Sequence, residues 1–252
     1  MKTPIISIIT VTFNGGKTIE SAIKSVLGQS YKNIEYIIVD GGSTDGTLEI
    51  VEKYKDRIAK FVSERDKGIY DGMNKGLNLA TGDIIGILNS DDLYASDEVI
   101  KSVVEKMEEQ DADVCWGDLV YVDDKDIDKV LRYWRSSNCK KGKFERGWMP
   151  PHPAFFVRKR VYEKYGKFDL DFRIAADYEL MLRFLRKNNV KACYFPKILV
   201  KMRIGGESNK NIKNIIRANI ECYKAWGKNG LEANFLTIPL KLLSKIPQYF
   251  KK

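Results

Sequence analysis

A chain of 252 residues, 44% hydrophobic and 31% charged, can bury one large core and is not composed like a disordered segment. One histidine and four separated cysteines (Cys115, Cys139, Cys193, Cys222), with no Cys-x-x-Cys pair, argue against a cysteine/histidine zinc site and against a disulfide framework, and read as a reducing cytoplasmic interior. The net charge of +9 is uneven: from Ser208 to Lys252 nine basic residues face only Glu221 and Glu232, so +7 of it belongs to the tail.

Lys2 followed by Pro4–Ile9 imitates a short signal peptide, but Ser7, Thr10 and Thr12 interrupt the apolar run and Asn14-Gly15-Gly16 is a turn. The β-branched enrichment predicts a buried strand over Ile5–Phe13 instead. A helix over Lys17–Leu27, a strand over Ile34–Val39 ending at Asp40, a helix over Asp45–Tyr54 with Asp45 able to cap it, and a strand over Ile58–Val62 follow. Next come a helix at Ile69–Leu79, a strand at Ile84–Leu88 and a helix at Ser96–Met107. Short apolar strands alternating with helices predict an α/β fold with a mostly parallel central sheet covered on both faces.

Beyond residue 100 the pattern is mixed. Val114–Val122 and Lys129–Trp134 read as a hairpin across Asp123-Asp124-Lys125-Asp126, and Gly147–Phe156 as a loop rich in glycine, proline and aromatics. Asp177–Arg186 reads as a helix, Val190–Arg203 as one or two strands, and Asn211–Trp226 and Phe235–Tyr249 as basic tail helices. The organisation expected is a first half over 1–100, a second half of the same domain over 101–206, and a basic amphipathic tail over 207–252. No stretch reaches the roughly 18–20 uninterrupted apolar residues of a spanning helix.

In sheets of this kind ligands bind beyond the carboxyl ends of the strands. The polar residues collect there: Thr12 to Asn14, Asp40, Glu64 to Lys67, and Asn89 to Asp92. Adjacent carboxylates at a strand end suit a hard divalent ion that also binds diphosphate, although an Asp-rich surface turn has the same composition. Asp40 before Gly41-Gly42-Ser43-Thr44-Asp45-Gly46 stands where a nucleotide-reading acid stands in dinucleotide folds, or at a plain helix-entry turn. Gly16-Lys17-Thr18 is not a phosphate loop, because Val11 occupies the leading glycine's place, and no Gly-x-Gly-x-x-Gly follows the first strand.

Four ordered blocks carry a family resemblance: Thr10-Val11-Thr12-Phe13-Asn14, Val39-Asp40-Gly41-Gly42-Ser43-Thr44-Asp45-Gly46-Thr47, Asp66-Lys67-Gly68-Ile69-Tyr70-Asp71-Gly72-Met73-Asn74-Lys75-Gly76, and Leu88-Asn89-Ser90-Asp91-Asp92. Together they resemble glycosyltransferase family 2, whose members are inverting enzymes of GT-A, Rossmann-like fold, including those of bacterial surface-polysaccharide assembly. The resemblance implies that Thr12 and Phe13 line the nucleotide pocket, Asp40 bonds the base, and Asp66, Lys67, Asp71 and Asn74 border the nucleotide-sugar. It implies that Asp91 faces the ribose or sugar and Asp92 binds Mn2+ or Mg2+. Many relatives carry Asp-x-Asp here, so the Asn89-Ser90-Asp91-Asp92 form leaves the division between the two acids open. Asp177 matches the second position of the family's Glu-Asp motif, with Ala176 in place of the glutamate, and is the candidate base. The alternative is a cap for its helix, and it could do both.

His152, in Pro150-Pro151-His152-Pro153, reads as an acceptor or metal contact or as a structural loop residue. Arg158, Arg173, Arg183 and Arg203 could reach diphosphate, or sit in surface ion pairs. In the tail, Phe235–Leu240, Leu242, Leu243, Ile246, Tyr249 and Phe250 interleave with Lys241, Lys245, Lys251 and Lys252, which suits either packing or an anionic membrane surface at the inner face of the cell membrane. The expected function is metal-dependent transfer of a single sugar from a UDP-sugar to a saccharide or lipid-linked saccharide, since no Gln-x-x-Arg-Trp sequence of processive synthases occurs. The rivals are a nucleotidyltransferase, for which the loop after the first strand supplies only Lys17, and a non-catalytic binding module, which has no need of Asp177. No nucleic-acid partner is expected.

Overall fold

The computed structural model describes residues 3–204 and 212–233, together with Thr237 and Pro239. Its first half follows the apolar runs. β1 (Ile6–Thr12) is buried along its whole length, flanked in parallel by β2 (Ile34–Asp40) and β4 (Ile84–Ile87), while β3 (Lys60–Ser63) adds parallel to β2. Between them run α1 (Ile19–Leu27), α2 (Thr47–Glu52) and α3 (Ile69–Leu79). Side chains alternate along a strand, so Ile8 and Ile38 enter one core with Ile23 and Val26, and Ile9 and Val39 enter the other with Met73 and Leu77. The hydroxyls that interrupt β1 are mostly satisfied: Ser7 Oγ donates to Glu35 and Thr10 Oγ1 accepts from Tyr36. At Gly76 helix and strand come so close that a Cβ would lie 2.4 Å from Ile9 Cγ2, which only glycine permits.

The second half comprises β5 (Asp92–Tyr94), α4 (Val99–Glu109), β6 (Val114–Val122), β7 (Val130–Trp134), β8 (Phe155–Arg158), α5 (Lys159–Tyr165), α6 (Ala176–Met181), β9 (Ala192–Arg203) and α7 (Ile212–Lys228). The sheet runs β3-β2-β1-β4-β8-β6-β9-β5, with β7 also on β6. The expected hairpin is present, Leu119 opposite Trp134. β6 and β9 pair in parallel, whereas β8 is antiparallel to both β4 and β6, and β5 is antiparallel to β9. The mostly parallel sheet thus describes β3-β2-β1-β4, and the rest is mixed.

Other departures are local. Gly147–Phe156 was expected as loop, yet its last two residues open β8, whose start directly after Pro153 and Ala154 respects proline's missing donor. α5 and the three-residue β5 have no counterpart in the sequence reading. The helix expected at Asp177–Arg186 is α6, widening into π-helical turns over Leu182–Lys187. Val190–Arg203 is a single strand. α7 buries Glu221, Cys222, Ala225 and Trp226 and leaves Ile216, Ile220 and Tyr223 exposed. The expected helix at Phe235–Tyr249 lies, apart from Thr237 and Pro239, outside the described residues. Among those described, no helix is long and apolar enough to cross a membrane.

Candidate active site

The carboxyl ends of β1 and β2 are lashed together by their loops. Thr12 and Asp40 are register partners, and Gly41 N donates to Thr12 O at 2.8 Å. Asn14, held at φ 51°, donates its N–H to Ser43 Oγ (2.7 Å) and accepts from Thr44 N (3.0 Å); Gly16 N donates to Asp45 Oδ2 (3.0 Å). Asp45 also accepts from the N–H and hydroxyl of Thr47, but the cap position of α2 is Gly46, so the expected cap stands one residue before it and bridges to the first loop. Phe13 stands 65% exposed at this rim, a ring face with no cover, and Thr12 Oγ1 is buried without a partner.

Asp40, expected to bond a base, is fully buried. Its carboxylate accepts from Gly42 N (3.0 Å), Ser43 N (2.9 Å), Ser63 Oγ (2.7 Å) and the Ser43 hydroxyl. It organises the Gly41–Ser43 loop, where Gly42 takes φ +85°. Asp66 lies beside it: a Cβ on Gly41 or Gly72 would meet its Oδ2 at 2.9 and 3.0 Å, so those glycines make room for a carboxylate at the cleft floor. Lys67 is exposed, and Asp71 accepts from the Lys67 N–H at 2.9 Å. Asn74 belongs to the frame instead of the cleft: its amide bonds Phe168 N (3.0 Å) and Phe168 O (2.9 Å), using both ends to pin the segment ahead of Asp177.

The turn after β4 reaches the same loops, since a Cβ on Gly15 would lie 3.1 Å from Ser90 Oγ. Asp92 is fully buried and Asp91 partly exposed. Arg203 is within electrostatic range of both acids, whereas His152 and Asp124 act on Asp91. The expected assignment of the cation to Asp92 meets this difference, since Asp92 opens β5 opposite Met202 and its side chain is wholly buried. Burial raises the pKa of Asp91; burial and then the charge of Asp91 hold that of Asp92 well above the carboxylate range. Arg203 donates to Asp91 O (2.7 Å) and Ser21 Oγ (3.2 Å).

Among the described residues no three His, Cys, Asp or Glu side chains gather as a self-sufficient metal site. The pair nevertheless fits a cation shared with a diphosphate. Asp92 Oδ1 and Asn89 Oδ1 are buried without partners, and a dication would relieve the repulsion between two desolvated acids.

Asp177 shares the neighbourhood of His152 with Asp91. Tyr70 from α3 places its hydroxyl 3.1 Å from Asp177 Oδ1 and 2.7 Å from Ile174 O. His152 Nδ1 lies 3.7 Å from Asp177 Oδ2, and its Nε2 is buried with no partner among the described residues. Burial among Ile87, Phe155, Tyr162 and Phe168 lowers the imidazole pKa against the pull of Asp177 and Asp91, so it is neutral at pH 7. Asp177 is in the first turn of α6 while the cap position is Ala175, so capping is not its task. Arg158 and Arg183 are elsewhere, paired with Glu108 and Glu179.

The neighbours close a ring: Asp66, Gly41, Asp40, Thr12, Gly15, Ser90, Asp91, His152, Asp177, Tyr70 and back along α3 to Gly68. Beside it a cleft of about 1430 Å³ opens between Lys67–Asp71, Leu170–Arg173 and α7. Sequence reasoning overlooked Tyr70 and Glu221. The signal for Glu221 was its being the only acid of an otherwise basic α7.

A profile of the family described as Glycosyl transferase family 2 matches residues 7–166. An uncharacterized glycosyltransferase of Mycobacterium tuberculosis is 33% identical over 186 residues, which cover 71% of this chain and 68% of that protein. A PGL/p-HBAD biosynthesis glycosyltransferase of Mycobacterium bovis is 28% identical over 221 residues, 83% of this chain and 81% of its own. Among solved structures, S. aureus TarS in complex with UDP-GlcNAc gives a TM-score of 0.68 at 18% identity, covering 98% of this chain and 72% of that one. The mannosyltransferase PcManGT from Pyrobaculum calidifontis, in complex with GDP-Man and Mn2+, gives 0.65 at 17%, covering 97% and 70%. At such identities the likeness concerns the GT-A fold alone.

Proposed function

The chain belongs to glycosyl transferase family 2, and from that premise we propose an inverting, single-sugar transfer from a nucleoside-diphosphate sugar, with uridine the base, to an acceptor hydroxyl. The observation that carries the proposal is that His152 stands 3.7 Å from Asp177 and within electrostatic range of Asp91, so the candidate base and the strand-end acids share one neighbourhood. Thr12 and Phe13 receive the nucleotide, Asp40 acts through the loop it shapes, and Asp66, Lys67 and Asp71 border the donor. Asp91 and Asp92 would hold Mn2+ or Mg2+, the first at the cleft and the second behind it. That cation supplies charge stabilisation to the departing diphosphate.

Asp177 takes the proton of the acceptor hydroxyl as its oxygen attacks the anomeric carbon and the bond to the diphosphate breaks. Tyr70 fixes one carboxylate oxygen, and neutral His152 stands at the other, ready to bond the acceptor or the carboxylate. The cleft along α7 is the acceptor's side, so residues 1–100 serve the donor and 101–206 the acceptor. Assembly of a surface polysaccharide or glycolipid suits these parts, with the tail over 207–252 resting on the anionic inner surface of the membrane.

The test is nucleoside-diphosphate release from UDP-glucose, UDP-GlcNAc and GDP-mannose with Mn2+, using wild type and Asp177→Asn. A positioned base supplies about 10²–10⁴-fold, so turnover should fall by that much while donor affinity survives. Near-normal turnover in the variant removes Asp177 as base, and absence of metal-dependent release from all three donors by wild type removes the proposed reaction.

A further inference from the structure

The segment bearing Asp177 is held from outside its own element. A helix begins with N–H groups that no intrahelical carbonyl reaches. A Ser, Thr, Asp or Asn at the cap usually answers one of them, but the cap of α6 is Ala175, which has no acceptor to offer. α7 fills the gap. One carboxylate oxygen of Glu221, a buried side chain, accepts from Ile174 N at 2.8 Å and from Ala175 N at 2.9 Å.

Three more residues bind α7 and its end to the same stretch. Trp226 Nε1 donates to the Tyr178 hydroxyl at 3.0 Å, Asn229 Nδ2 donates to Glu179 Oε1 at 3.0 Å, and Lys228 pairs with Asp169 at 3.1 Å and Asp171 at 2.7 Å. From the opposite side Tyr70 bonds the Ile174 carbonyl. One tyrosine O–H cannot donate fully to both Ile174 O and Asp177 Oδ1. The seating of the 174–175 peptide therefore decides how that proton is shared with the base.

We propose that Glu221 is a positioning residue for Asp177. Its carboxylate answers the N–H of the cap residue Ala175 and that of Ile174 before it, seats the Ile174–Ala175 peptide against Tyr70, and so aims the base. Helix α7 lies beyond the stretch that the family profile matches, and it thereby becomes a working part of the active centre. The inference rests on Asp177 being the base.

The experiment compares Glu221→Ala, Glu221→Asp and Glu221→Gln with Asp177→Asn. It uses whichever of UDP-glucose, UDP-GlcNAc or GDP-mannose the wild type turns over fastest with Mn2+. A misplacement of about 1 Å can cost about 100-fold, so Glu221→Ala should lower kcat about 10–100-fold with donor KM within about twofold. Glu221→Gln, which keeps an acceptor oxygen for both amides, should recover most of the rate. Amide exchange at Ile174 and Ala175 should quicken in Glu221→Ala and not in Glu221→Gln. If Glu221→Ala does not fold, Glu221→Asp, which withdraws the oxygen by one methylene, decides the matter by a reduced kcat at unchanged donor KM. Wild-type kcat in a folded Glu221→Ala or Glu221→Asp, or kcat and donor affinity falling together, overturns the inference. Turnover surviving in Asp177→Asn overturns instead the reading beneath it.

Discussion

Glu35, at the start of β2, offers a quantitative test of how the donor half is held together. Its carboxylate accepts from Ser7 Oγ at 2.5 Å, Thr81 N at 2.7 Å and Thr81 Oγ1 at 2.7 Å, and it pairs with Lys60 at 2.8 Å, so it joins β1, β2, β3 and the turn before β4. Burial acts to raise its pKa, but the bonds from Lys60, Ser7 and Thr81 outweigh burial and bring it from 4.5 to about 2. A folded-state pKa below the unfolded one means stability that is present above pH 4.5 and lost as pH falls toward 2. The shift converts to about 3 kcal/mol at roughly 1.4 kcal/mol per pH unit. Lys60 is 33% exposed, which screens its share, and we take about 2 kcal/mol. Glu35→Gln keeps the size but turns an NH2 toward two donors, so it should lose about 2 kcal/mol at pH 7. Urea unfolding of both proteins from pH 7 down to pH 2.5 should show the wild type weakening below pH 4.5 and the gap closing. A variant within about 0.5 kcal/mol of wild type at pH 7, small beside a charged hydrogen bond, or a gap that does not change with pH, refutes the reasoning.

Gly76→Ala should destabilise by about 1–2 kcal/mol, because the added methyl meets Ile9 Cγ2 on a stiff β-branched side chain, and overpacking exceeds the helix-propensity gain of about 1 kcal/mol. Denaturant unfolding measures it, and a stabilised variant contradicts the close approach of α3 and β1. For the tail, the full chain should sediment with anionic vesicles and a chain ending at Gly230 should do so less. Failure of both to bind ends the membrane proposal.

The parallel half of the sheet was legible because its signals are local. The apolar runs of β1, β2 and β4, the helical spacing of Ile19, Ala22, Ile23 and Val26, and the acids at strand ends all lie within a few residues of what they specify. The later strands were harder, since a three-residue β5 or a β8 beginning just after Pro153 exists only through partners far along the chain, Val200–Met202 for one and Ile84–Gly86 with Val114–Trp116 for the other.

Residue types alone therefore determined which side chains could take part: a set of acids at strand ends, one exposed aromatic after β1 and an acid at 177. Only the tertiary structure decided their stations. It buried Asp40 under four hydrogen bonds, buried Asp92 and left Asp91 partly exposed, and occupied Asn74 with Phe168. It also drew Tyr70 from α3 and Glu221 from α7 onto the peptide before Asp177. Local sequence sets what a side chain can bond, whereas which partner is within 3 Å depends on packing between segments that may be a hundred residues apart, as Tyr70 and Ile174 are.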